Sequence, residues 1–214
     1  NAPELERVGE QIRSTCVVEV EALASDLAAP GAAEALWAHC LQKQWPVEVL
    51  VNCAGMFLNV ERELTDPDAV DRLLVLHVQT TTRLCLRFGP EMMRRRRGYV
   101  LNVASISALF PDPSSLSYGP SKRYLLALSK NLHLAWREHG VQVCCVVPGG
   151  TRPAFFAHNN IYLPGFVARH LYPVQDTARR ALAALFRGQA RVIPGLGARL
   201  NLLLFRLLLT PALY

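Results

Sequence analysis

A tyrosine and a lysine lie four residues apart in the segment Tyr118-Gly-Pro-Ser-Lys122. On a helix this spacing places both side chains on one face. A neighbouring ammonium favours the phenolate, which lowers the pKa of the phenol from about 10 toward neutral pH. A tyrosine with such a pKa can give or take a proton in catalysis. Because this pair recurs by chance on many helices, its meaning depends on the motifs around it.

Three further motifs share one feature, which is that each follows an apolar run. Near-continuous apolar runs are typical of strands in a parallel sheet, since such a sheet is buried on both faces. One of the motifs, Ser105, precedes Tyr118 by 13 residues. The motifs are Asn52-Cys53-Ala54-Gly55 after residues 49–51, Ser105 after residues 99–103, and Pro148-Gly149 after residues 143–147.

This ordered set resembles the short-chain dehydrogenase/reductase family of single-domain NAD(P)-dependent oxidoreductases. The resemblance covers about residues 26–195 and implies that Ser105, Tyr118 and Lys122 are the catalytic residues. It also implies hydride transfer that interconverts a ketone or aldehyde and an alcohol, with NADP or NAD as the cofactor. The sequence Pro-Gly-Gly-Thr-Arg at 148–152 most resembles that of the steroid-dehydrogenase-like branch. We therefore expect an apolar carbonyl or alcohol substrate.

The same resemblance assigns the cofactor contacts along the chain. Asp26 matches an acidic position that touches adenine, and Asn52 to Gly55 match the segment behind the adenine side. The loop after the third motif matches the one beside the nicotinamide. The implied cofactor-binding residues are Asp26, Asn52, Ala54, Gly55, Tyr118, Lys122, Pro148, Gly149 and Thr151.

Three departures from the family pattern bear on function. His77 stands where many members carry an asparagine that anchors a proton-relay water. The imidazole can hold such a water, transfer protons itself, or lie buried against a backbone group. Pro153 replaces a threonine that contacts the carboxamide, so Thr151 or the backbone must serve instead. The glycine-rich Gly-x-x-x-Gly-x-Gly loop, which cradles pyrophosphate at a helix N-terminus, does not occur in the 214 residues.

Strand and helix patterns alternate along the chain, which predicts an α/β fold. We expect a Rossmann-like doubly wound parallel sheet in a single domain over residues 1–195, followed by an apolar segment over 196–214. The alignment at Asp26 implies that the first β-α-β unit is absent and that the sequence is a truncated record. The alternative is a natural scaffold or binding protein that keeps the fold without catalysis. Strands are predicted at 17–24, 47–52, 99–104, 141–147 and 190–193, and helices at 2–13, 32–44, 66–87, 117–139 and 174–187.

Composition narrows the class of protein. With 51% hydrophobic and 19% charged residues the chain is expected to be globular. The net charge is +6, and the arginines at 94–97 follow a helical pattern, so they complement the negative end of a helix better than they suggest nucleic-acid binding. The six cysteines lack metal-ligand spacing. They predict reduced thiols in the cytoplasm, with no metal site.

The apolar segment 196–214 leaves three interpretations open. It can pack over the substrate cleft, lie on a membrane surface, or pair with another subunit. Arg199, Asn201 and Arg206 interrupt it, so it lacks the run of about 18 apolar residues that a spanning helix requires. We expect the complete protein to be a homo-oligomer.

Overall fold

The computed structural model describes residues 1–150 and 172–195. Within them a four-stranded sheet runs in the order β1-β2-β3-β4, with every neighbouring pair parallel. The predicted strands at 47–52, 99–104, 141–147 and 190–193 and the α/β fold are thereby confirmed. The strands are β1 Val49–Asn52, β2 Gly98–Val103, β3 Val141–Val146 and β4 Arg191–Val192.

The strand predicted at 17–24 is wrong, because this segment is irregular in the structure. Its alternating apolar and acidic residues satisfy the sequence pattern of a strand, yet a strand also needs a neighbour for its backbone N–H and C=O groups. No such ladder forms among the described residues. Instead, the Arg13 guanidinium donates to the carbonyl of Val20 at 2.9 Å, and Val17 and Val18 are exposed.

Seven α-helices lie in the described part of the chain. The helical segment predicted at 66–87 is confirmed but continues to Arg94, because a π-helical turn at Val75–Thr80 joins α4 to α5. Asp66 caps α4 by accepting from the Ala69 N–H at 3.0 Å. Helix α3 was not predicted. The helices are α1 Ala2–Thr15, α2 Ala32–Gln42, α3 Val60–Thr65, α4 Pro67–Leu74, α5 Thr81–Arg94, α6 Tyr118–Trp136 and α7 Val174–Phe186.

Helices cover both faces of the sheet. Successive residues of β2 point to opposite faces, so Val100 packs with α5 and α6 in one core cluster while Leu101 packs with α7 in another. Trp136 belongs to the first cluster and Leu185 to the second. The near-continuous apolar runs in the sequence are the consequence of this double burial.

The register of the strands brings the predicted motifs to one edge of the sheet. Asn52 pairs with Asn102 in β1 and β2, and Val103 pairs with Val146 in β2 and β3. The loops that follow these strands carry Gly55, Ser105 and the Pro148-Gly149 motif. In a parallel sheet the carboxyl ends of the strands form the usual binding edge.

The arginine run at 94–97 lies at the C-terminal end of α5, as predicted. Its side chains bind groups of the same chain and tie the end of α5 to the start of β1 and to the turn between α6 and β3. The partners are Glu91 for Arg94, the carbonyl of Val47 for Arg95, the carbonyl of Glu138 for Arg96, and Glu48 for Arg97.

All six cysteines are free thiols, and Cys85, Cys144 and Cys145 are buried. Among residues 1–150 and 172–195, no group of side chains is arranged to hold a metal ion. No helix of this described part combines the length and the apolar character that crossing a bilayer would take. Residues 196–214, for which a membrane-surface contact was one interpretation, lie outside the described residues.

Candidate active site

A cavity of about 440 Å³ opens at the carboxyl ends of the strands. The loops after β1, β2 and β3 form its walls, and the first turns of α6 form its floor. All three predicted catalytic residues line this cavity. The other lining residues are Cys53, Gly55, Met56, Phe57, Val103, Ala104, Ile106, Ser107, Asp112, Ser114, Pro148, Gly149 and Gly150.

Tyr118 and Lys122 share one face of α6, as their spacing predicted. Tyr118 is the first residue of the helix, and the Lys122 Nζ lies 5.6 Å from the centre of its ring. Lys122 is only 4% exposed and donates to the carbonyl of Val103 at 3.2 Å. Burial lowers the pKa of Lys122 to about 8, so the side chain is still mostly charged at neutral pH, although its pKa lies only about one unit higher.

The pKa of the Tyr118 phenol is shifted in the opposite direction to the one expected from the sequence. Burial raises the pKa of the phenol and is the largest influence on it. The side chain of Ser105 lowers this pKa by less than burial raises it, and the charge of Asp112 raises it slightly further. The sequence argument predicted that the lysine would lower this pKa, but burial is the larger influence in the structure. Tyr118 is therefore protonated at neutral pH, as a proton donor must be. Its ring packs edge-to-face against Phe57 and His77.

Ser105 has both of the roles considered for it. As a cap it opens the short 3-10 turn Ile106–Ala108 and accepts from the Ser107 N–H at 3.2 Å. As a site residue it lines the cavity, and its side chain acts to lower the pKa of the Tyr118 hydroxyl. A serine fixed by its own turn and adjacent to the phenol can hold a substrate oxygen beside the proton donor.

His77 is fully buried in the π-helical turn. Its Nε2 accepts from the Met56 N–H at 3.1 Å, so the ring proton lies on Nδ1, which donates to Ser121 Oγ at 2.9 Å. Burial, aided by the positive charge of Lys122, lowers the pKa of His77 to about 3. The imidazole is therefore neutral, and both nitrogens have partners. Of the interpretations left open by the sequence, the structure favours a buried histidine satisfied by a backbone group.

Of the predicted adenine-side residues, Gly55 lines the catalytic cavity, whereas Asp26, Asn52 and Ala54 do not. The Asn52 amide donates to Asn102 Oδ1 at 2.8 Å, which holds the ends of β1 and β2 together. Ala54 lines a separate cavity of about 90 Å³ that Leu27 also lines. The Asp26 carboxylate accepts from the Ala28 N–H and from Arg72, each at 3.0 Å. Contact of these residues with adenine stays a prediction.

The cavity fits the nicotinamide end of the predicted cofactor. A Cβ atom on Gly55 would lie 3.0 Å from His77 Nε2 and 3.3 Å from Lys122 Nζ, so a side chain there would crowd the lysine. An ammonium has three N–H donors. In the described part of the chain one of them binds Val103, which leaves donors for ribose hydroxyls. Pro148 and Gly149 line the cavity as predicted, while Thr151 and Pro153 lie outside the described residues.

Two acidic residues at this site were not predicted. Asp112 lines the cavity and accepts from the Ser114 N–H at 3.1 Å, the local turn that an aspartate favours. Glu63 is buried beneath the start of α6, where it binds Ser115 and Ser117. The Pro-Asp-Pro sequence at 111–113 signals a turn and was available to sequence reasoning. Nothing local distinguishes Glu63 from its exposed neighbour Glu61.

Comparisons with known proteins show the family of this chain. A family model described as short chain dehydrogenase matches residues 1–161. The chain is 35% identical over 123 residues to Dehydrogenase/reductase SDR family member 4 of Bos taurus, a match that spans 57% of this chain and 44% of that protein. It is 27% identical over 173 residues to SDR family member 7B of Bos taurus, covering 78% and 51%. The chain thus spans about half the length of these curated relatives.

A solved structure shares this fold. The short-chain dehydrogenase of Sphingobium yanoikuyae in complex with NADPH superposes with a TM-score of 0.82 at 26% identity. The superposition covers 95% of this chain and 79% of that one. The fold of this chain is therefore similar to that of a protein whose structure contains NADPH.

Proposed function

The chain belongs to the short-chain dehydrogenase family, and from this premise we propose that it carries the catalytic half of an NAD(P)-dependent oxidoreductase. The proposed reaction interconverts a ketone or aldehyde and an alcohol by hydride transfer. The observation that carries this proposal is the convergence of Ser105, Tyr118 and Lys122 on one cavity at the carboxyl ends of the strands. When bound, the nicotinamide supplies or accepts the hydride.

Each of the three side chains has one role in the proposed mechanism. In the direction of reduction, the Tyr118 hydroxyl gives its proton to the carbonyl oxygen, and a raised pKa keeps that proton available at neutral pH. The Ser105 hydroxyl donates to the same oxygen and stabilises the charge that develops there. The Lys122 ammonium, 5.6 Å from the ring centre, stabilises the phenolate left behind and binds ribose hydroxyls.

The walls of the cavity support an apolar carbonyl or alcohol substrate with some polar surface. Met56, Phe57 and Ile106 offer apolar contacts, and Ser107 and Asp112 offer polar groups. The choice between NADP and NAD stays open in this proposal.

Replacing Tyr118 by phenylalanine tests the proposal in the product of the complete gene. The phenyl ring keeps the packing but has no proton to give, so we expect kcat for carbonyl reduction to fall about 100-fold or more. The affinity for NADPH, measured by fluorescence titration, is expected to stay within about twofold of the wild-type value. The reason is that the phenol gives its proton to the substrate and not to the cofactor. Suitable probes are cyclohexanone, acetophenone, benzaldehyde and a steroid ketone.

The control is Tyr124→Phe on the same helix, where the hydroxyl contacts Thr82 at 2.9 Å and the side chain is 38% exposed. That variant is expected to keep the wild-type rate. A Tyr118→Phe variant with more than about a tenth of the wild-type rate would contradict the assigned role. A wild-type protein that reduces none of the probes would instead favour the non-catalytic scaffold.

A further inference from the structure

Glu63 is a buried carboxylate whose bonds all run to one short segment of the chain. It lies on α3 and is 8% exposed. Four donors reach it from residues 115–117, the three residues that precede Tyr118. They are Ser115 Oγ at 2.9 Å, the Ser117 N–H at 2.9 Å, the Leu116 N–H and Ser117 Oγ.

This carboxylate takes the place of a cap at the N-terminus of α6. The first N–H groups of a helix lack partners within it, and the positive end of the helix favours a negative charge. Ser117, the N-cap residue of α6, makes no capping bond with its own side chain. Its hydroxyl and N–H both donate to Glu63 instead. The helix therefore begins at a point that a residue of α3 determines.

The connection reaches Tyr118 itself. The Tyr118 N–H donates to Ser115 Oγ at 3.1 Å, and Ser115 Oγ in turn donates to Glu63. Burial works to raise the pKa of Glu63, but the hydrogen bonds from Ser117, Leu116 and Ser115 together outweigh it and hold that pKa below its usual value. The carboxylate is thus charged at neutral pH, when all four donors need an acceptor.

Glu63 also joins two walls of the cavity. Helix α3 follows Met56 and Phe57, which line one wall, and its first residue Val60 donates through its N–H to the Ser114 carbonyl at 2.9 Å. Ser114, in the segment between β2 and α6, also lines the cavity. A shift of α3 would therefore move the start of α6 and the substrate-facing loop together.

We propose that Glu63 is a positioning residue that fixes the start of α6, and with it the phenol of Tyr118, relative to Ser105 and Lys122. It acts through Ser115, Leu116 and Ser117 and does not itself touch substrate or cofactor. This inference rests on the proposed function, because it assigns Glu63 a part in the same proton transfer.

The test compares Glu63→Gln with Glu61→Gln in the product of the complete gene. The glutamine keeps the volume, but its NH2 group faces donors where the carboxylate accepted, so the start of α6 must shift. Displacing a catalytic group by about 1 Å can cost up to about 100-fold in rate. We expect kcat to fall about 10- to 100-fold with the KM for the cofactor within about twofold, since the Lys122 bond to Val103 is untouched. Glu61 is exposed on the same helix, and its variant should match the wild type.

Hydrogen–deuterium exchange on the same variants separates this inference from the proposed function. The amides of Leu116, Ser117 and Tyr118 are expected to lose protection in Glu63→Gln and to keep it in Glu61→Gln. This measurement needs no activity, so a wild-type protein without reductase activity would defeat the proposed function while still testing the contact network.

Three results would overturn the inference: an unchanged kcat in Glu63→Gln, a fall in kcat matched by an equal loss of cofactor affinity, or unchanged amide protection. If Glu63→Gln does not fold, Ser115→Ala replaces it, because that change cuts the link between the Tyr118 N–H and Glu63. Ser115→Ala is then expected to lower kcat with the cofactor KM unchanged. An unchanged kcat in that variant would equally overturn the inference.

Discussion

Replacing Lys122 by methionine is expected to abolish activity and yet stabilise the fold. The ammonium is 4% exposed, and among the described residues the structure gives it one hydrogen-bond acceptor, the carbonyl of Val103. Burial of a charge with so few partners disfavours the folded state. Methionine has a similar unbranched shape without the charge, and it fills irregular space well.

The size of the effect follows from the pKa of Lys122, which burial lowers from 10.5 to about 8. Each pH unit corresponds to about 1.4 kcal/mol, so the buried ammonium lowers the free energy of unfolding by about 3 kcal/mol at pH 7. Losing the bond to Val103 offsets about 1 to 2 kcal/mol of the gain. We therefore expect Lys122→Met to be about 1 to 2 kcal/mol more stable than the wild type at pH 7.

The stability difference between Lys122→Met and the wild type should depend on pH. Between the folded pKa of about 8 and the ordinary lysine pKa of 10.5, the unfolded chain holds the proton that the folded chain has lost. The wild type consequently gains stability as the pH rises through this window. The advantage of Lys122→Met should be constant below pH 8, disappear at about pH 9 and reverse by about pH 10.5, since the wild type regains about 3 kcal/mol across this window.

Urea denaturation of both proteins at pH 7, 8, 9 and 10 measures this difference, with Lys130→Met, an exposed position on the same helix, as the control. A Lys122→Met variant that is less stable than the wild type at pH 7 would refute the reasoning. So would a stability difference that does not change with pH.

Two further predictions concern buried positions near the site and in the core. His77→Asn is expected to stay active, since both ring nitrogens serve structural bonds, and it should also remove part of the protein's acid sensitivity. Because the pKa of His77 is lowered from 6.5 to about 3, the wild type should lose about 2 kcal/mol of stability between pH 7 and pH 5. Urea denaturation at the two pH values measures this loss for both proteins. A His77→Asn variant that loses as much stability as the wild type would contradict the prediction. Gly89→Ala is expected to destabilise the protein by about 1 to 3 kcal/mol, because its Cβ would lie within 2.9 Å of Trp136 ring atoms. Thermal or urea unfolding measures this change, and an unchanged midpoint would show that the Trp136 ring can move aside.

That Ser105, Tyr118 and Lys122 line one cavity could be predicted because their placement depends on local sequence pattern. Ser105 follows an apolar strand, and Tyr118 and Lys122 lie one helical turn apart, so sequence spacing alone places them at the same edge of the sheet. The parallel sheet itself follows from alternating apolar strands and helices. Each of these features is encoded within a few residues.

The features that were missed depend on contacts between distant segments. The pattern at 17–24 suits a strand, but whether a strand forms depends on a neighbour that the pattern does not contain. The pKa of Tyr118 depends on how deeply the ring is buried, which its spacing to Lys122 does not encode. Glu63 binds across more than fifty residues of chain, since Ser115 and Ser117 follow it by 52 and 54 positions.

The π-helical turn at Val75–Thr80 makes the length of its segment matter more than its composition. In such a turn a backbone N–H pairs with the carbonyl five positions back, where an α-helix pairs residues four apart. Since an α-helix advances about 100° per residue, one extra residue in the turn rotates all that follows by that angle. Leu73 before the turn and Phe88 after it pack in different clusters. Insertion or deletion of one residue here would turn α5 away from its core face, whereas many single substitutions would leave the rotation intact.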